Sequence, residues 1–383
     1  LAGRIRAREA SAREVASALL ARIEAWNPRI GALVDYDPED VLAQAAAADE
    51  AQAAGRPLGP LHGVPLTIKS SIDVAGRRIE CGSLYRRGRV AERDAAVVAR
   101  LRAAGAAVLG VTLAADLLMA YETDNRLYGR TSHPLDPERT PGGSSGGEAA
   151  AIAAGGSPAG FGSDGGGSVR VPAHFSGICG LKPTPGLISR VGHWPVCVGP
   201  GARMGLVGPL ARTVEDLQRL VAATAGADPA DPCSAPAPFV PPADEDLHRA
   251  RIGWCAGEAG WPVTAETAES VERAARALER QGFRLEPFSF AGLEDFARAW
   301  WALFGVAGAM LTRPMRAGRE ADLHPASLGL LATDDEVEAF TAEKLFEAWT
   351  LRDRIRAKLA ARMEGLAAVV CPTAAIPAFR HGE

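Results

Sequence analysis

The chain has no Cys-x-x-Cys pair and no Cys/His cluster at zinc-binding spacing; its six cysteines, Cys81, Cys179, Cys197, Cys233, Cys255 and Cys371, stand far apart. That excludes a structural zinc site and a dense disulfide scaffold, and it fits free thiols in a reducing compartment. Apolar runs are short too. The longest, AWWALFGVAGAML at 299–311, falls below the roughly 18 residues that a membrane-spanning helix needs. The opening residues LAGRIRAREASAREV lack the apolar segment of a signal peptide, so a cytoplasmic protein is expected. Nor is there a basic excess. With 42 Lys and Arg against 46 Asp and Glu, the net charge is −4, which gives neither a positive stripe for nucleic acid nor a polybasic membrane patch. No G-x-x-x-x-G-K-[ST] phosphate loop occurs, and no metal or cofactor is implied.

Against these absences stands TPGGSSGGEAAAIAAGGSPAGFGSDGGGSVRVPAHFSGICGLKPT at 140–184, which holds two serine-bearing glycine loops. Ser144 lies inside GGSSGG and Ser168 inside GSDGGGSVR, where flanking glycines let the backbone approach a bound molecule closely. Upstream, GVPLTIKS alternates Val64, Leu66 and Ile68 on one face, reads as a strand, and delivers Lys69 at its end. Serine needs a base at neutral pH, and a lysine serves only when neutral. Burial at the strand end lowers a lysine pKa by disfavouring the ammonium. Lysine and two serines in these settings suggest acyl transfer without histidine. Gly165, Gly166, Gly167 and Ser168 offer a run of unobstructed N–H groups suited to an oxyanion hole.

The wider pattern is α/β. Ser11 and Glu14 form a capping box that opens a helix with the stripe Val15, Leu19, Ile23 and Trp26, and Asn27-Pro28 is expected to stop it. A second helix follows Asp37-Pro38 and ends at Gly55; then come helices near 94–104 and 113–120 around a strand at AAVLG, and a helix behind GGSSGG. Such alternation predicts a mixed, largely parallel central sheet sandwiched by helices. Thr213 caps a helix, 228–246 reads as a Pro-rich connector, and RIGWC with a helix over 264–281 restarts the pattern. Residues 292–365 read as a helical cover, with Trp300, Trp301 and Phe304 either core or the wall of an acyl tunnel.

At its lysine and serine loops the chain resembles the amidase signature family, whose hallmark is a GGSSGG loop, then G-x-D-x-G-G-S-[IV]-R, with an upstream lysine on a strand. LLMAYETDNRLYGRT at 117–131 and GPLART at 208–213 are similar to stretches that flank the signature in bacterial amidases and fatty-acid-amide hydrolase. The resemblance implies one amidase domain over 1–383, with N-terminal helices in 1–60 and a catalytic core in 63–213. It implies Ser168 as nucleophile, Ser144 as the bridge that passes its proton to Lys69, and a cis Gly143–Ser144 bond. Ser145 is expected as a supporting hydroxyl on Lys69, Asp164 and Arg170 as supports of the second loop, and Leu118, Met119, Ala120 and Tyr121 as acyl-pocket residues. Two departures are visible. Ser70 stands where many members carry an acid after the lysine, removing a nearby charge, and the chain is expected to be incomplete at its ends.

The implied activity is hydrolysis of a linear carboxylic amide through an acyl-enzyme, by a protein that takes a small-molecule substrate, with a homodimer left open. The FSGICGLKPT and LLMAYET stretches favour a stand-alone amidase over the alternative, the glutaminase (A) subunit of a tRNA-dependent amidotransferase. A non-catalytic scaffold on the same fold is the alternative of another class. Gly142 to Gly146 also satisfies G-x-S-x-G, the nucleophile elbow of Ser-His-Asp hydrolases, but that motif needs a strand directly before it and TSHPLDPERTP is a polar loop.

Overall fold

The computed structural model of the chain describes residues 1–196, 203–236, 239–241, 243, 247, 250–258, 260–331 and 333–383, so Cys197 and part of the 228–246 connector lie outside the described residues. The chain gathers into two compact units. The first joins Leu1–Phe239, Met315–Leu330 and Arg380–Glu383, and the second Val240–Pro314 and Leu331–Phe379.

In the first unit the strands are β1 (Leu33–Asp35), β2 (Pro65–Lys69), β3 (Ala107–Thr112), β4 (Asp124–Asn125), β5 (Gly129–Arg130), β6 (Ala159–Asp164), β7 (Cys179–Gly180) and β8 (Leu206–Ala211). Apart from the small β4–β5 pair, they form a mixed sheet in the order β1-β3-β2-β6-β8-β7. The middle of that sheet, β3-β2-β6, is parallel, and the outer pairings are antiparallel. The helices are α1 (Ala2–Arg6), α2 (Ala12–Ile30), α3 (Pro38–Ala53), α4 (Ala96–Ala103), α5 (Gly146–Ala153), α6 (Arg170–Ser176) and α7 (Val214–Thr224). One face of the sheet packs Leu66, Ile68, Val108 and Phe161 against Val97 and Leu101 of α4 and Leu217 and Leu220 of α7. The opposite face sets Leu109 among Ile23 and Trp26 of α2, Val41 of α3 and Ala150 of α5. Side chains alternate along a strand. With Leu66 and Ile68 on the α4 side, Thr67 and Lys69 point toward α5.

The parallel centre is buried on both faces, so Thr67 and Lys69 of β2 are as fully enclosed as Leu66 and Ile68. Its packing is tight at Gly160, where an added Cβ would overlap Glu148 Oε1 and the Thr67 carbonyl oxygen. Gly160→Ala is therefore expected to cost about 1–3 kcal/mol of stability. Chemical denaturation should show a lower midpoint at unchanged slope; an unaltered midpoint would contradict this packing.

Two elements differ from the sequence expectation. The capping box of Ser11 and Glu14 is formed, but α2 runs past Asn27-Pro28 to Ile30 and ends at Gly31, φ 68°. Proline is tolerated there because, near the helix end, the Asn27 carboxamide accepts from the Ala32 and Leu33 N–H groups, each at 2.9 Å, and takes over the exit. The segment 113–120 is no helix. It holds only a 3₁₀ turn at Asp116–Leu118, since Leu117 and Leu118 take left-handed φ of 50° and 64°.

The second unit carries a parallel sheet of β9 (Arg251–Trp254), β10 (Arg284–Pro287) and β11 (Ala368–Val370), with β9 in the middle, and long helices at Ala265–Arg280 and Ala342–Arg362. Trp300 and Phe304 stack within this unit, ring centres 4.9 Å apart. Among the described residues no helix is long and apolar enough to cross a membrane, and Cys81, Cys179, Cys233, Cys255 and Cys371 are free thiols.

Candidate active site

Lys69 ends β2, a strand buried at every position, and is itself fully buried. Its Nζ donates to Ser144 Oγ at 2.8 Å, Ser163 Oγ at 3.1 Å and the Ser163 carbonyl at 3.4 Å. Among the described residues no carboxylate pairs with it directly. Burial brings its pKa down to about 7, against the weaker opposing pull of Cys81, Asp164 and Glu148. A buried amine near neutrality can exchange a proton with the hydroxyl it touches.

Ser144 follows a cis Gly143–Ser144 bond in the loop that enters α5. This loop is pinned at several points and does not behave as a Gly/Ser linker. Thr123 Oγ1 donates to the Gly142 carbonyl at 2.8 Å and accepts from Gly146 N–H at 3.0 Å, and Ala115 N–H donates to the Ser144 carbonyl at 3.2 Å. Ser145 N–H donates to the Ser168 carbonyl at 3.2 Å, which joins the two serine loops. The Ser145 hydroxyl does not reach Lys69 as expected; it donates to the Ser163 carbonyl at 3.4 Å, because Ser163 from β6 occupies the place beside the amine. No strand leads into Ser144, since 131–145 is loop, turn and one isolated bridge, so the nucleophile-elbow reading of G-x-S-x-G lacks its support.

The second loop is organised by Asp164 at the end of β6. Its carboxylate accepts from the N–H groups of Gly167 at 2.8 Å, Val169 at 3.1 Å and Arg170 at 3.3 Å, and from the Arg170 guanidinium at 2.8 and 2.9 Å. Burial works against the charged carboxylate, but the Arg170 hydrogen bonds and charge outweigh it and hold the pKa below the ordinary range. Lys182 Nζ adds a hydrogen bond to the Asp164 carbonyl at 2.9 Å.

This wiring changes the expected oxyanion set. Gly167, with φ of 132°, gives its N–H to Asp164 and is not available as a donor to substrate. The N–H groups of Gly165, Gly166 and Ser168 make no hydrogen bond among the described residues and are the donors left. The Ser168 hydroxyl is likewise unpartnered among the described residues, at 7% exposure. The Ser168-to-Ser144 step expected of the relay is thus not a formed hydrogen bond, while the Ser144-to-Lys69 step is.

Of the four expected pocket residues, two reach the serine loops. The Tyr121 hydroxyl donates to the Gly166 carbonyl at 2.6 Å, and the Ala120 carbonyl lies so close to Gly143 that a Cβ there would meet it at 2.5 Å. Leu118 instead continues the left-handed corner begun at Leu117, and Met119 is buried after it. Ser163, Thr123 and Glu148 escaped the sequence reading. Ser163 had a signal, a hydroxyl at a strand end directly before Asp164; Thr123 and Glu148 had none in spacing alone.

A family model described as Amidase matches residues 14–383. The chain belongs to the amidase signature family. Among its relatives, the A subunit of glutamyl-tRNA(Gln) amidotransferase from Thermosynechococcus vestitus is 35% identical over 98% of this chain and 82% of the relative. The corresponding protein of Chloroflexus aurantiacus strain J-10-fl is 46% identical over 58% of this chain, a match that spans 45% of the relative. Among solved structures, a bacterial aryl acylamidase of the amidase signature family superposes with a TM-score of 0.87 at 25% identity, covering 100% of this chain and 80% of that one. The chain is accordingly a hydrolase of the amidase signature family, acting on C–N bonds.

Proposed function

We propose that the chain cleaves a carboxylic amide through an acyl-enzyme on Ser168, with Ser144 passing the proton of the nucleophile to Lys69. The observation that carries this reading is the fully buried Lys69 amine 2.8 Å from the Ser144 hydroxyl, on a loop bonded to the backbone of Ser168. In the first half-reaction Ser168 Oγ attacks the amide carbonyl. Its proton moves through Ser144 to the neutral amine and from there to the leaving nitrogen, while the N–H groups of Gly165, Gly166 and Ser168 take the oxyanion. Water then attacks the acyl-enzyme by the same relay. The chain acts as one amidase domain in this reading, with its chemistry in 63–213 and no metal or cofactor.

Two substrate classes are in play. The sequence stretches favoured a stand-alone amidase, but relatives at 35% and 46% identity belong to amidotransferases, and this supports glutamine as the amide and a multi-subunit setting. The likeness to an aryl acylamidase supports the stand-alone reading. Steady-state release of ammonia from glutamine, measured beside aliphatic, aryl and fatty amides on the purified chain, separates them. Glutamine turnover that needs added partner proteins selects the amidotransferase; turnover of none of these amides, together with no trapped acyl-enzyme, defeats both.

A further inference from the structure

The neighbours of Lys69 differ in whether their charge is already balanced. Four titratable groups act on it or feel its charge: Cys81, Asp164, Glu148 and His193. The Cys81 thiol is buried and pushed up to about 12, and burial pushes the His193 imidazole down to about 4, so both are neutral near pH 7. Asp164 is matched by Arg170 at 2.8 Å and Lys182 at 4.0 Å. That leaves Glu148.

Glu148 enters from α5 and is fully buried. Its carboxylate accepts from Thr67 Oγ1 and, at 2.9 Å, from Thr112 Oγ1, and it has no cationic partner among the described residues. Both threonines frame the lysine. Thr67 precedes it by two residues on the same face of β2, and Thr112 is its register partner on β3. Gly160 leaves the room the carboxylate fills. The helix thus supplies the carboxylate missing at Ser70, and it does so without an ion pair that would tie up the amine.

We infer that Glu148 is a positioning residue for Lys69, an internal carboxylate held by Thr67 and Thr112 that sets how readily the amine holds its proton without itself touching substrate. The inference rests on the reading of Lys69 as the base. A carboxylate behind the lysine favours the ammonium, so activity should rise with pH at a higher midpoint than an uncompensated lysine would give. Burial raises the pKa of Glu148 itself to about 7, so the two groups titrate as a coupled pair.

The test is the pH dependence of the rate at which a fluorophosphonate labels Ser168. Because the Glu148 carboxyl is itself largely protonated below pH 7, Glu148→Gln should move the rising midpoint down by only about half a pH unit, which raises the rate near pH 7, relative to its own plateau, about 1.5-fold. Glu148→Asp, which keeps the charge, should return the midpoint toward the parent value. Thr112→Val, which removes one donor from the carboxylate, should shift it in the same direction as Glu148→Gln but less, and it guards against a glutamine variant that fails to fold. An unchanged midpoint in these variants, with cooperative thermal unfolding retained, overturns the inference even where the plateau rate falls. A Lys69→Ala protein that keeps the parent pH profile overturns instead the assignment of the lysine as base, so the two failures are distinct.

Discussion

Ser168→Ala is expected to abolish fluorophosphonate labelling and to reduce amide turnover on the order of 10⁵–10⁶-fold, with cooperative unfolding unchanged. The proposed acyl-enzyme has no other bond to form if this hydroxyl is gone, and the N–H donors of Gly165 and Gly166 can do no more than polarise a bound carbonyl. The hydroxyl is free of hydrogen bonds among the described residues, so its bond to Ser144 can form as substrate arrives. Ser144→Ala should be milder, because a water can stand in for a relay hydroxyl, and labelling of Ser168 should persist at a reduced rate. Mass spectrometry of the adduct decides the matter. A probe found on Ser144 in the parent protein would move the nucleophile to the first loop.

The parts of the site that could be read from the sequence were those whose chemistry is local. A lysine at the end of an alternating strand and serines between glycines declare their settings through neighbours in the chain, and the parallel centre of the sheet follows from the alternation of strands and helices. What escaped depends on contacts distant in sequence. Glu148 lies in an alanine-rich helix, and nothing in its spacing tells that Thr67 and Thr112 wait to receive it. Gly167 reads as a donor to substrate until Asp164 is seen to turn back on its N–H. Leu117 and Leu118 carry no sequence mark of left-handed backbone, which leucine rarely adopts, so an apolar stretch there reads as helix. Pro28 misleads in the opposite sense, since the helix end was set three residues later by Gly31 and by the side chain of Asn27.

Lys69→Ala should lower kcat by about 10²–10⁴-fold and flatten the rise of activity with pH. The sign follows from the burial of the amine. The base works only when neutral, and with its pKa brought down from 10.5 to about 7 the parent activity should climb through neutrality and level off above it. Near-normal kcat in the alanine variant, or a parent rate that does not depend on pH between 6 and 8, would remove the lysine from the mechanism. Stability should report the same burial independently of any substrate. Below pH 7 the folded protein must hold an ammonium away from water, while the unfolded chain hydrates it freely, so the cost is full there. It shrinks as pH rises from about 7 toward 10.5, where the unfolded lysine also loses its proton. Lys69→Met, which fills the space without a charge, should therefore raise Tm at pH 6 and do so progressively less toward pH 10. A methionine variant that is inactive yet more stable at low pH would show that the fold gives up stability to keep an uncharged amine within reach of Ser144. Equal Tm gains at pH 6 and pH 10 would mean that the lysine is not held neutral by burial, and the source of its basicity would have to be sought elsewhere.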